Sequence, residues 1–205
     1  MLIDQPYDPE DLSVKVSELL VATADGADEL IDVAVPEVLK LLRDRMKMDV
    51  VFVSEFVDGR RVFRHVPPGQ TALPVGGGDP LEESWCQRVV DGRVPEFVQD
   101  ANTHPATRNL PKPMPIGTHL STPIIMEDGQ IYGTLCCFSH GVNDKTSDRD
   151  LQNLRYTAQL TARKIERERA ADRVLAMQKP TTRPQPAQVP EWKLEPQKND
   201  TFRRG

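Results

Sequence analysis

The sequence predicts an α+β domain: an antiparallel sheet with helices on its faces. Three observations carry this. Two apolar, β-branched runs, Ile116–Ile125 and Ile131–Ser139, flank a turn that contains Asp128-Gly129. Asp-Gly between such runs is the strongest short-range hairpin signal. A second pair, Val50–Val57 and Arg61–Val66, flanks Asp58-Gly59 in the same way. Helical periodicity brackets both pairs, and strand runs bracketed by helices imply α+β.

The elements follow in order. Residues 1–10 hold two prolines and read as a loose arm. Leu12, Val16, Leu19 and Leu20 recur at helical spacing. A second helical pattern runs from about Asp28 to Met46 through Leu30, Ile31, Ala34, Val38, Leu41 and Leu42, with Pro36 inside it. Either that helix kinks at Pro36, or a new helix begins with proline in its first turn. The first hairpin comes next. Residues 67–79 are rich in Pro and Gly and read as a flexible loop. Gly76-Gly77-Gly78 is no phosphate loop, because no Gly-Lys-Ser/Thr follows.

Asp79-Pro80 then reads as a helix start. Asp79 is the expected N-cap, Pro80 the first helical residue and Glu82 the N3 partner of a capping box. This helix carries Ser84-Trp85-Cys86 and ends near Gly92. Val94–Val98 reads as a short strand, followed by a turn through Asp100 and about one helical turn to Arg108. Pro111, Pro113 and Pro115 keep the chain irregular up to the second hairpin. The last helix starts at Ser147 or Asp148 and runs to about Met177, with Leu151, Leu154, Ala158 and Ile165 along one stripe. That stripe is longer than one small sheet needs, so it predicts a homodimer through this helix and the N-terminal one. Residues 179–205 hold five prolines and little periodicity, and read as a disordered tail that folding does not need. The domain itself is expected over residues 11–178.

Composition sets limits. A chain of 205 residues fits one domain with extensions. It has no run of eighteen apolar residues and no secretory leader pattern, so no membrane span and a cytoplasmic location are expected. The net charge of −5 disfavours nucleic acid as a partner. Residues 179–205 hold six Lys/Arg against three Asp/Glu, a net +3, which leaves −8 on the body. The three cysteines, Cys86, Cys136 and Cys137, form no Cys-x-x-Cys pair. Neighbours in a strand point to opposite faces, so Cys136 and Cys137 are expected reduced and unpaired with each other. No His/Cys cluster suggests a zinc site, no Ser-His-Asp ordering is recognisable, and no cofactor is specified.

Four phrases together resemble one family. They are Ser84-Trp85-Cys86 through Val89, Gly92 and Pro95; Asp100-Ala101 with Pro105; Thr118-His119-Leu120-Ser121-Thr122-Pro123-Ile124; and Asp128-Gly129 followed by Gly133-Thr134-Leu135-Cys136. Over residues 28–170 the chain resembles a GAF domain, of a subtype met in bacterial sensory proteins and often joined to cyclic-di-GMP enzymes. The resemblance implies a central antiparallel sheet of five or six strands. N- and C-terminal helices would cover one face, and a ligand-sized cavity would lie on the other. It also implies a regulatory role, binding a small molecule and passing a change to flanking helices and a partner signalling protein. The Asn-Lys-x-x-Phe-x-x-x-Asp-Glu signature of the cyclic-nucleotide branch is missing. So is the cysteine pattern of the free-methionine-sulfoxide reductases. No output domain is expected within residues 179–205.

The expected ligand contacts follow from this frame and from period-two alternation. Phe52, Ser54, His119 and Ser121 are assigned to the cavity face, and Val51, Val53, Leu120 and Thr122 to the helix face. Trp85, Cys86 and Val89 would wall the cavity, with Trp85 as anchor, and Asp100 and Asn102 would stand at its rim. Plainer readings stand beside these. Cys86 is a redox sensor, metal ligand or chromophore attachment point, or else a small buried hydrophobe. His119 ligates haem or bonds a ligand, or is a satisfied strand histidine. Asp100 orients a ligand or caps the turn at Thr103. Three functions therefore compete: a non-catalytic small-molecule sensor, a redox enzyme or thiol sensor using Cys86 or Cys136, and a ligand-free dimerisation module whose cavity Trp85 and Phe138 fill.

Overall fold

The structure is a computed structural model that describes residues 31–69, 73–112 and 114–178. The expected arm, the helix at Leu12–Leu20 and the tail at 179–205 lie outside the described residues. The elements are α1 (Ile31–Met46), β1 (Val50–Val57), β2 (Arg60–His65), β3 (Gly78–Pro80), α2 (Trp85–Val90), β4 (Phe97–Val98), β5 (His119–Ile125), β6 (Ile131–Phe138) and α3 (Asp148–Gln178). The six strands form one antiparallel sheet in the order β3-β2-β1-β6-β5-β4. The two expected hairpins, β1–β2 and β5–β6, are joined at the centre by β1 pairing with β6.

Local chemistry explains each hairpin. Asp58 and Gly59 both have positive φ, 51° and 69°, the backbone of a type I′ turn. In the second, Gly129 has φ 80° and its N–H bonds the Met126 carbonyl. Gly133 serves a different purpose. A Cβ there would lie 1.9 Å from the Ser54 carbonyl oxygen, so β1 and β6 pair closely only because it is glycine. Gly133→Ala is expected to exceed the ~3 kcal/mol upper end of ordinary substitutions. Thermal unfolding would show it as a large fall in midpoint, and an unchanged midpoint would contradict the close pairing.

Helices α1 and α3 pack on one face. From α1, Val35, Val38, Leu39, Leu42 and Met46 are buried, spaced as one helical stripe, and Pro36 lies inside this one helix rather than starting a new one. Lys47, at φ 53°, closes α1, and the Met48 N–H bonds back to the Arg43 carbonyl. Helix α3 opens on a capping box: the Ser147 N–H donates to the Asp150 carboxylate at 2.9 Å. Its Leu151, Leu154, Ala158 and Ile165 share a core with Val51, Val53, Leu120, Leu135 and Cys137.

That packing corrects the basis of the expected dimer. The four stripe residues are between 0% and 8% exposed, spent on the chain's own sheet rather than free for a partner. Leu154→Ala is accordingly expected to cost about 2–5 kcal/mol of stability, measured by denaturant titration.

Two further boundaries move. Asp79 and Pro80 belong to β3, not to a helix. β3 is an edge strand, where a proline without an N–H is tolerated. A single 3-10 turn, Leu81–Glu83, intervenes, and the true N-cap is Ser84, whose Oγ accepts from the Gln87 N–H at 3.1 Å. The expected strand Val94–Val98 shrinks to Phe97–Val98 because Pro95 interrupts its donors.

Candidate functional site

The sheet face opposite α1 and α3 carries Phe52, Phe63, Cys136 and Phe138, clustered with Trp85, Cys86 and Val89 of α2 and Ile116 of the connecting segment. Between sheet, α2 and the residues Pro111, Lys112, Met114 and Ile116 lies a cavity of about 620 Å³. That is ample for a small molecule, for which sites of roughly 300–1,000 Å³ are usual. Phe52, Phe63, Leu73, Trp85, Met114 and Phe138 give it apolar walls, while Arg61, Arg88, Lys112 and His119 give it polar ones. Asp79, Glu82 and Glu83 also line it.

Arg61 is the fixed charge. Its guanidinium lies over the rings of Phe52 and Phe63, with centroids at 5.6 and 5.1 Å. Nε donates to Asp79 Oδ1 at 2.9 Å, Nη2 bonds the other carboxylate oxygen, and Nη1 donates to Cys86 Sγ at 3.3 Å. Burial pulls the guanidinium down, but Cys86 and Asp79 outweigh it and raise its pKa. Arg61 is therefore a permanent cation. The cation that bonds Cys86 comes from β2, not from α2.

Cys86 responds to that charge. A hydrogen bond from Cys136 lowers its pKa most; burial opposes this; Arg61 and Thr134 add to the lowering. Burial, and then the neighbouring Cys86, push Cys136 well up. The two shifts run in opposite directions, Cys86 down and Cys136 up. Cys137, on the opposite face, is raised by burial and by Asp150.

His119 is 1% exposed, edge-on to Trp85 at 5.2 Å, with Nε2 3.5 Å from Cys136 Sγ. Burial, then Arg61, bring its pKa down to about 3, so it is neutral at physiological pH. Its Nδ1 has no hydrogen-bond partner, and neither has the buried Nε of Arg88. A buried polar atom left unpaired costs about 1–3 kcal/mol. Both residues line the cavity, but these two nitrogens are themselves sealed from solvent. The Trp85 N–H donates to the Pro111 carbonyl at 3.0 Å, tying α2 to the opposite wall.

Of the nine residues expected from sequence, Phe52, Trp85 and His119 line the cavity. Cys86 and Val89 lie buried in the same cluster without lining it. Ser54 and Ser121 are on the assigned face but fully buried; Ser54 Oγ is 3.0 Å from Thr134 Oγ1, and Ser121 Oγ is unpaired. Asp100 does not line the cavity. Its carboxylate takes the Asn102 N–H and the Thr103 hydroxyl, the turn-cap alternative, and these hold its pKa down. Asn102 acts at one remove: its Oδ1 accepts from Lys112 Nζ at 2.7 Å, and Lys112 reaches the cavity. Sequence reading missed Arg61, Phe63, Asp79 and Lys112. Period-two alternation along β2 pairs Arg61 with Phe63 and was the available signal for those two. Among the described residues no three His, Cys, Asp or Glu side chains are grouped as a metal ion needs. No described helix is long and apolar enough to cross a membrane.

A family model described as the GAF domain matches residues 25–166. Solved structures share the fold. The GAF domain of an Acinetobacter phosphoenolpyruvate-protein phosphotransferase is 15% identical, with a TM-score of 0.63 over 80% of this chain and 97% of that one. Free methionine-R-sulfoxide reductase from Neisseria meningitidis, in complex with its substrate, is 18% identical, with a TM-score of 0.59 over 83% and 98%. The bacteriophytochrome RpBphP3 from R. palustris is 16% identical, with a TM-score of 0.60 over 84% of this chain and 40% of that one. At these identities the likeness shows the fold alone. No curated protein matches the sequence.

Proposed function

The chain belongs to the GAF domain family, and on that premise we propose that it is a non-catalytic sensory domain that binds a small molecule. The observation that carries this reading is the open cavity of about 620 Å³. Trp85 and Phe138 both reach it, yet they do not fill it, which weighs against a ligand-free module. Its aromatic walls suit an apolar or planar body, and the lining cations Arg61, Arg88 and Lys112 suit polar or anionic atoms at its edge.

The sheet offers a route for a signal. Along β5 and β6, His119 and Cys136 face the cavity while their neighbours Leu120, Leu135 and Cys137 pack on α1 and α3. A displaced cavity-side residue therefore moves a strand whose other face is the helix seat. α3 continues 13 residues past Ile165, about 20 Å at helical rise. There Val174, Leu175 and Met177 are exposed. In this reading the protein works in the cytoplasm as a homodimer joined through that projecting part, and hands the change to a signalling partner.

Native mass spectrometry with an absorption spectrum, on protein purified from its own host, tests the reading. A retained small-molecule mass, released by unfolding, is the expected result. Bare protein that also binds nothing from a metabolite extract would overturn it. Light scattering tests the dimer, and a mass near 23 kDa at micromolar concentration would count against it.

A further inference from the structure

We propose that the cavity takes a flat, apolar carboxylate whose charged end is held by Arg88 and Lys112. This rests on the reading of the cavity as a ligand site and names the chemistry of its occupant. Three cations line the space, but they are not equivalent. Arg61 is neutralised by Asp79, which bonds two of its nitrogens. Arg88 and Lys112 have no carboxylate within ion-pair distance among the described residues. The acids near them are spent elsewhere. Asp91, at the end of the Arg88 helix, accepts from Gln87 and Arg93. Asp100, which feels the Lys112 charge, accepts from the Asn102 N–H and the Thr103 hydroxyl. Lys112 Nζ is itself fixed: it donates to the Ala101 carbonyl at 3.0 Å and to Asn102 Oδ1 at 2.7 Å, both neutral acceptors. An ammonium has three N–H donors, so one is left for a ligand.

The rest of the lining favours one negative charge on a flat body. Glu82 and Glu83 also border the space, but both are exposed and stand on the 3-10 turn that a neighbouring groove shares. They form the rim. Further in, Phe52, Trp85 and Phe138 present rings. A charge in a cleft with low-dielectric walls acts more strongly than one in open water. A carboxylate brings two acceptor oxygens, which match a guanidinium and an ammonium. A phosphate is less well served. Its usual seat is a set of free backbone N–H groups. The N–H groups of Gly76 and Gly77 already bond the Phe63 and Pro74 carbonyls. A cationic ligand would set a third positive charge beside two uncompensated ones.

The full chain, dialysed to remove retained small molecules, is titrated by calorimetry with probes that share one ring system: naphthoate, naphthamide, naphthyl phosphate and naphthylmethylammonium. Naphthoate is expected to bind about tenfold or more tightly than the amide, because hydrogen bonds to an ionised acceptor are the strong ones. Arg88→Met and Lys112→Met are each expected to cut that ratio several-fold. The amide's own affinity should stay near the parent's, which shows that the variants are folded. Arg93→Met is the control: Arg93 borders the neighbouring groove and not the cavity, so the ratio should not change. Equal binding of acid and amide would overturn the proposal and leave the ligand-site reading standing. Tighter binding of the phosphate or of the ammonium probe would do the same. An unchanged ratio in either variant would overturn the part given to that residue. Naphthoate that fails to bind at millimolar concentration would also overturn the proposal, and the ligand-site reading is then decided separately by the retained mass.

Discussion

Trp85→Ala is expected to lower stability by about 3–5 kcal/mol and to remove most of the affinity for whatever small molecule the protein retains. Trp85 is 6% exposed, packs on His119, and lines the cavity. Its removal therefore leaves a void and an orphaned carbonyl at Pro111. Trp85→Phe separates the two losses. It keeps apolar bulk but gives up the N–H···O bond, worth about 1 kcal/mol. Arg60→Ala is the control: Arg60 is exposed, its side chain donates to the Gly78 carbonyl, and it is no part of the cavity wall. Calorimetry with the co-purified ligand should show Trp85→Ala far weaker than Arg60→Ala. Equal affinities would place the ligand elsewhere.

What the sequence made legible was local or periodic. The type I′ turn at Asp58-Gly59 needs positive φ at both central residues, and Asp-Gly is a pair that supplies it. The strand faces followed from a period of two. Phe52 and His119 line the cavity, while Val51, Val53 and Leu120 meet the helices. The start of α2 was not legible, because Asp79-Pro80 with Glu82 satisfies the cap pattern in isolation. Two tertiary facts override it: Pro80 pairs with Arg60 in the sheet, and Arg61 takes the Asp79 carboxylate. The site charge was hidden for the same reason. Arg61 and Cys86 are 25 residues apart and meet only when β2 and α2 both pack on one face. Helical spacing around Cys86 could not reveal a cation arriving from another element. The α3 stripe misled in the opposite direction. Its period was read correctly, but period says nothing about whether the surface it meets belongs to the same chain.

Acid is expected to unfold the domain early, and His119→Phe is expected to delay it. The buried imidazole titrates at about 3, against an ordinary value of 6.5. Its depressed pKa means that the unfolded chain binds more protons between those limits. The stabilisation is complete above about pH 6.5, falls as the pH drops, and is gone below about 3. A shift of 3.5 units at about 1.36 kcal/mol each sets a ceiling near 5 kcal/mol. Cys86, whose pKa is lowered, has the same sign in a higher window: its contribution is lost as the pH falls. His119→Phe keeps the ring against Trp85, removes an unpaired buried nitrogen, and deletes only the lower window. At pH 7 its stability should lie close to the parent's. Between pH 6.5 and 3 the parent should lose several kcal/mol more than the variant, by denaturant titration at each pH. Asp91 and Asp100, both held low by local hydrogen bonds, weaken in both proteins alike and cancel in the difference. Parallel curves for parent and variant would mean that His119 is protonated without cost. It would then have to reach water or an anion when charged, and the dry, edge-on contact with Trp85 could not persist at low pH.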